Sequence, residues 1–236
     1  MIRALLSIPK ETMPSIEEYY EQYWENPDDY VDPSTPARQA LLRRFLQRVP
    51  AGTKIIDVGC GTGEFCDFFY GLGFHAEGSD LSHAAIAHAR KTYKGKGLTF
   101  HTGEVHTLLP AHAGCYGVAF SSEVIEHLFD VANWLGAINQ LLEPDGYLIL
   151  TTPYHGFAKN LAIDLFGYSR HYDPLGQHIR FFDKAGLTRC LRLCGFEPLS
   201  WTGYGRPWPF WKSMFVVARK VRPCATLAFG TQGRLV

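Results

Sequence analysis

The stretch Lys54-Ile55-Ile56-Asp57-Val58-Gly59-Cys60-Gly61-Thr62-Gly63 limits what this chain can fold into more than any other. Its first half reads as a short buried strand, and a glycine-rich turn leads from it into a helix predicted over Glu64 to Leu72. Glycine at alternate positions lets the backbone bend sharply and approach a ligand with no Cβ in the way. The alternation then continues. Strands are predicted at His75–Asp80, Leu98–Thr102, Tyr116–Ser121 and Tyr147–Thr152, and helices at Ser82–Tyr93 and Glu123–Leu142, the latter stopped by Pro144 and Gly146. Strands that alternate with helices imply right-handed crossovers and a parallel sheet covered on both faces. Upstream, Ala40, Leu41, Phe45 and Val49 have helical spacing within Ala37–Val49. Downstream, Asp183–Cys194 reads as helix, and Pro198–Thr202 and Met214–Arg219 as a terminal pair of strands. Between them, Pro153 to Arg180 breaks the rhythm and reads as an inserted loop region.

A length of 236 residues suits one generous domain with a buried core. Lys+Arg and Asp+Glu both number 23, so the broad positive footprint of a nucleic-acid binder is missing and nucleic acid is disfavoured as a partner. The six cysteines form no C-x-x-C pair, which points to reduced thiols and a cytoplasmic location. No apolar run reaches the roughly 18 residues of a membrane span, and Met1–Pro9 lacks the features of a secretion leader.

The second strand ends in Asp80, placed to accept hydrogen bonds from both hydroxyls of a ribose. The dinucleotide fingerprint needs a third glycine where this chain has Glu64, and a carboxylate there would repel a pyrophosphate. A nucleoside without phosphates, carrying a cationic centre and an amino group, suits Asp57 and Glu64 better. S-adenosylmethionine (SAM) is such a ligand.

Three segments carry a more specific likeness. Ile56 to Gly63 resembles the first motif of class I SAM-dependent methyltransferases, Gly78-Ser79-Asp80-Leu81-Ser82 their second, and Ser121 to Leu128 the motif after their fourth strand. The resemblance spans about Ala37 to Val221. It implies a single Rossmann-like, doubly wound α/β domain with a mostly parallel seven-stranded sheet, the last strand antiparallel. It also implies roles. Gly59, Gly61 and Gly63, with Cys60 among them, would line the methionine end of SAM, and Asp57 would lie near its amino group. Asp80 would hold the ribose, Leu81 would pack on the adenine, and Glu104 and Val105 would lie at the adenine amino group. Main-chain groups around Ser121 and Ser122 would complete the pocket. The expected organisation is an N-terminal helical lid (1–50), the catalytic domain (51–222) with an acceptor-side insertion at about 153–182, and a tail (223–236).

The segment Glu123-Val124-Ile125-Glu126-His127 is predicted to begin a helix, with Glu123, Glu126 and His127 on one face. Three readings stand: carboxylates favoured by the helix N-terminus beside a structural histidine, His127 as a general base, or a divalent metal site. The segment resembles those of ubiquinone-pathway O-methyltransferases and of small-RNA 2′-O-methyltransferases, for which metal-assisted transfer is described. His178 would be the counterpart of a further histidine in the RNA enzymes.

Methyl transfer is an in-line displacement, so the acceptor should be held by elements that roof the cofactor. Tyr19, Tyr23, Tyr154 and His178 are the expected acceptor-binding residues, and His155 ranks beside His127 as a base. The expected acceptor is a small molecule methylated on oxygen or nitrogen. The rivals are metal-assisted RNA 2′-O-methylation and a SAM-binding module without activity. The loop Trp208-Pro209-Phe210-Trp211-Lys212 is expected at a hairpin tip, with peripheral membrane contact as the alternative.

Overall fold

A computed structural model describes residues 21–24, 32–173 and 176–224. Seven strands form one sheet in the order β3-β2-β1-β4-β5-β7-β6. They are β1 (Lys54–Val58), β2 (His75–Asp80), β3 (Thr99–Thr102), β4 (Tyr116–Ser122), β5 (Leu142–Pro153), β6 (Phe196–Tyr204) and β7 (Ser213–Lys220). Pairings from β3 across to β5 are parallel, whereas β7 runs antiparallel to both β5 and β6. The expected doubly wound sheet with an antiparallel last strand is therefore the one observed.

Helices cover both faces. The helices are α1 (Thr35–Leu46), α2 (Glu64–Gly71), α3 (His83–Thr92), the short α4 (Leu109–His112), α5 (Val131–Leu141), α6 (Phe157–Phe166), the short α7 (Tyr168–His171) and α8 (Lys184–Leu193). Side chains alternate across each strand, so Ile55 and Ile56 enter different cores. Ile55 joins Leu42, Phe69, Ile86 and Phe120 on the side of α1, α2 and α3. Ile56 joins Tyr116, Leu135, Ile138 and Leu191 on the side of α5 and α8. Strand order reverses between β1 and β4, and at such a switch point the carboxyl ends of the strands open a crevice.

Two expectations fail. The single helix Glu123–Leu142 does not form. Instead β4 continues through Ser122, Glu123 takes φ +55°, Ile125–His127 makes one 3-10 turn, and α5 starts only at Val131. Asp130 supplies the N-cap, its Oδ1 accepting from Asn133 N at 3.0 Å. Ser122, which immediately precedes the expected helix, lies inside β4, where its hydroxyl meets Thr151 Oγ1 at 2.9 Å. The second failure is the insertion, which is helical over α6 and α7 rather than a loop. Neither helix buries a residue: Phe157, Leu161 and Leu165 recur at i, i+4 and i+8, the helical spacing, but all three are exposed rather than packed on the sheet. Strand β6 also extends beyond its expected bounds, with a register shift between Pro198 and Ser200 that lets the sheet bypass the proline's missing N–H.

Candidate active site

A continuous cavity of ≈ 1390 Å³ opens over the carboxyl ends of β1, β2 and β4. Pockets for one small ligand usually span roughly 300–1,000 Å³, so this chamber has room for two.

One wall is the glycine turn. Gly59 and Gly61 have φ of +78° and +51°, a region that side chains rarely adopt. A Cβ on Gly59 would stand 2.4 Å from Val124 Cγ2, and one on Gly61 would stand 2.8 Å from the Trp24 ring. The turn is thus pressed between the segment after β4 and the N-terminal segment. Asp80 braces it: its Oδ2 accepts from Gly61 N at 2.8 Å and its Oδ1 from Ser82 N at 2.9 Å. Of the expected cofactor residues, Asp57, Gly59, Cys60, Gly61, Asp80, Leu81, Glu104, Val105 and Ser122 line the cavity. Gly63 and Ser121 stand behind it. Gly63 backs onto Phe100 and Tyr93, and the buried Ser121 hydroxyl donates to Val58 O at 2.6 Å.

The electrostatics favour a cation. Asp57 is buried, and loss of water, reinforced by the charge of Asp80, pushes its carboxyl well above the carboxylate range. Burial also raises Asp80, Glu64 and Glu123. A bound positive centre would relieve these groups, and a phosphate-bearing coenzyme would worsen them.

Arg38 on α1 is the residue that sequence reading missed. It is buried, donates to Ser122 Oγ at 2.5 Å and to Thr35 Oγ1 at 3.2 Å, and pairs with Asp32. Its Nε is buried with no hydrogen-bond partner, and the residue lines the cavity close to the methionine end expected for SAM. A signal was present. Arg38, Leu42 and Leu46 lie at i, i+4 and i+8, and all three are buried on one helical face.

The opposite wall of the cavity is built around the segment after β4. Glu126 is buried, its Oε2 accepts from Thr152 Oγ1 at 2.9 Å, and its Oε1 has no hydrogen-bond partner. Burial, followed by repulsion from Glu123, pushes its carboxyl up to about 8. Glu123 turns away, accepting from Tyr204 OH at 3.1 Å and Ser213 Oγ at 3.3 Å. The two carboxylates and His127 therefore do not share a helical face. His178 takes the remaining place, its ring centroid 4.9 Å from that of His127. It is brought there because Ile179 N and Arg180 N both donate to Glu126 O at 3.0 Å, while the Arg180 guanidinium donates to Phe129 O at 2.6 Å. One ligand atom each from Glu126, His127 and His178 lies within 4.8 Å of the others.

His155 is buried, with Nδ1 3.1 Å from Asn160 Oδ1. Burial lowers the pKa of both His127 and His155 to about 4, so both rings are neutral near pH 7. Tyr23 reaches the cavity at its rim. Tyr154 does not; its ring packs on Trp211 at 5.1 Å. Tyr19 lies outside the described residues. Phe129, Trp134, Ile163, Phe166 and Phe210 give the far end of the chamber apolar walls. In the late loop Trp208 is exposed while Trp211 packs on Tyr154.

Residues 34–200 match a family described as a methyltransferase domain. Over 187 residues the chain is 31% identical to a ubiquinone biosynthesis O-methyltransferase of Thiobacillus denitrificans, covering 76% of this chain and 80% of that one. The chain belongs to the SAM-dependent methyltransferases. A second ubiquinone biosynthesis O-methyltransferase, from Nitrosococcus oceani, is 27% identical over 84% of this methyltransferase and 86% of its own length. Among solved structures, the 1,6-didemethyltoxoflavin-N1-methyltransferase of Burkholderia thailandensis, bound to 1,6-didemethyltoxoflavin and S-adenosylhomocysteine, superposes with a TM-score of 0.68. At 18% identity over 87% of each chain, it shares the fold with this methyltransferase. A SAM-dependent methyltransferase of Mesorhizobium loti does so at a TM-score of 0.59, 22% identical over 76% of this chain and 96% of its own. The six cysteines form no disulfide, and no described helix is long and apolar enough to cross a membrane.

Proposed function

We propose that this methyltransferase moves the methyl group of SAM to the hydroxyl oxygen of a small aromatic acceptor, and that this one cavity holds both. The observation that carries the reading is one chamber in which a glycine cradle ringed by carboxylates meets apolar walls and a histidine pair. The names of the ubiquinone-pathway relatives support oxygen as the accepting atom. When bound, SAM supplies an electrophilic methyl on a sulfonium, whose bond to sulfur breaks with its electron pair staying on the sulfur.

The chain's own residues do the rest. Asp80 would accept from the ribose hydroxyls, Leu81 would face the adenine, and Glu104 and Val105 would lie at its amino group. Gly59, Cys60 and Gly61 would pass close to the methionine portion, with Asp57 toward its ammonium and Arg38 toward its carboxylate. Gly63 and Ser121 would shape the turn and the strand end from behind. His127 would take the hydroxyl proton: Nδ1 lies 3.1 Å from Gln177 O, so the ring donates there and Nε2 is the basic nitrogen. His155 is the second base within the same chamber. Tyr23 and His178 would border the acceptor. Tyr154, packed on Trp211, would support that wall rather than touch it.

A second reading has its own observation. The buried, unpartnered Oε1 of Glu126 beside His127 and His178 fits a divalent cation, since two imidazoles and a carboxylate suit such ions. Those three residues would hold it, and it would lower the pKa of an acceptor hydroxyl. Methylation assays across catechols, simple phenols, aromatic amines and short RNAs, with and without chelator, test both readings. Transfer to phenolic oxygen is expected, and transfer confined to amines or RNA would overturn it. Loss of activity in chelator, restored by a divalent ion, selects the metal reading over unaided base catalysis.

A further inference from the structure

A second convergence of ligating side chains lies away from the cavity, at the β3 edge of the sheet on the face covered by α5. Glu77 stands on β2, His101 on β3, His112 at the end of α4 and Tyr116 at the start of β4. None of them lines the cavity described above. Glu77 Oε2 is 2.8 Å from His101 Nε2 and 3.9 Å from His112 Nδ1. Tyr116 OH lies 2.9 Å from Glu77 Oε2 and 3.0 Å from His112 Nδ1. One ligand atom from each of Glu77, His101 and His112 falls within 4.8 Å of the other two.

We propose that Glu77, His101 and His112 form a binding site for a divalent first-row transition ion such as Zn²⁺, one that clips the edge strand and α4 to the rest of the sheet. Two imidazole nitrogens and one carboxylate are a donor set such ions prefer, whereas Mg²⁺ and Ca²⁺ favour oxygen throughout. Bond lengths of about 2.0–2.2 Å in a tetrahedral site place ligand atoms about 3.4 Å apart, and the observed 2.8 and 3.9 Å bracket that spacing. The donors come from separate elements whose backbones are fixed by the sheet. Parallel pairing sets His101 opposite Ser79, so it shares a face with Glu77 as its diagonal neighbour. The Tyr116 hydroxyl, donating to Glu77, is a partner of the kind that orients a metal-bound carboxylate. The three ligand side chains are 17–25% exposed, which leaves a route for the ion and a position for water.

The inference is independent of the acceptor and of the cation reading at Glu126, and its test keeps them apart. The full chain carrying Glu126→Gln and His178→Ala, stripped with chelator, would be titrated with Zn²⁺ by calorimetry. One equivalent is expected, weakened more than about 100-fold by a further His101→Ala or His112→Ala. Co²⁺ should give a visible spectrum without thiolate charge transfer. In the unmodified protein, Zn²⁺ should shift the ring signals of His101 and His112 in a nuclear magnetic resonance spectrum, a readout that needs no variant to fold. Thiolate bands, an unchanged titration in the variants, or ring signals that stay still at His101 and His112 would each overturn the proposal and leave a plain hydrogen-bonded network.

Discussion

Asp80 has two duties, because each of its oxygens already accepts a backbone N–H and yet faces the cavity. Replacing it with alanine removes the proposed ribose acceptor and releases the glycine turn together. Affinity for S-adenosylhomocysteine should fall about 100-fold or more, as expected for roughly 3 kcal/mol of charged hydrogen bonding, with calorimetry as the measure. Asp80→Asn keeps an acceptor oxygen and should lose less. At Gly59 the obstacle is steric rather than electrostatic. Gly59→Ala drives a methyl group to 2.4 Å from Val124 Cγ2 in a left-handed backbone, so it should abolish cofactor binding and lower stability by about 1–3 kcal/mol. His155 supplies a pH signature. Burial depresses its pKa from the ordinary 6.5 to about 4, so between those values the unfolded chain binds more protons than the folded one. Stability from this residue is complete above pH 6.5 and is lost as pH falls toward 4. Thermal melts should therefore show the advantage of wild type over His155→Asn shrinking by about 1–2 kcal/mol across that window, allowing for partial solvation. A constant gap would show that the ring does not titrate this way.

At the scale of elements, the site depends on segments that lie outside the regular alternation. Helix α1 reaches the cavity through Arg38, whose hydrogen bonds join Asp32, Thr35 and Ser122. Arg38→Met would strand the partly buried Asp32 carboxylate and should cost about 2–3 kcal/mol in urea denaturation. Adding Asp32→Asn should recover part of that loss, since the buried charge then disappears with its partner. Glu21 plays a comparable part for the N-terminal segment. Its carboxylate accepts from Ala84 N at 2.9 Å and from His83 N, the first turn of α3, and so holds Trp24 near the glycine turn. The stretch between β5 and α8 is anchored by the paired donors Ile179 N and Arg180 N on Glu126 O. That anchor decides which histidine meets His127.

For the whole molecule, the cavity joins a half set by the sheet, proposed for the cofactor, and a half set by what is laid over it, proposed for the acceptor. Ligand that binds only the folded state should stabilise the chain, by about 2.7 kcal/mol at a hundredfold excess over Kd. S-adenosylhomocysteine should accordingly raise the melting temperature of wild type and leave that of Asp80→Ala nearly unchanged. NAD should have no effect, given Glu64 and the raised carboxyls around the turn.

The chain's own pattern determined the seven strands, their order of appearance and the glycine turn after β1, because periodicity and glycine placement are local properties that survive without knowledge of the partners. Asp57, Gly59, Gly61 and Asp80 were legible for the same reason: each marks a strand end or a turn. Only the tertiary structure decided the wall of the cavity opposite the glycine turn. Glu123 left the expected helix because β4 and Thr151 hold Ser122 and Asp130 caps a later start. Arg38 entered the cavity because α1 packs Leu42 and Leu46 against the sheet and takes the arginine with them. His178 met His127 across some fifty residues of chain through backbone hydrogen bonds that no side-chain pattern encodes. Contacts between distant segments follow from packing, and packing is settled only when every element has found its place.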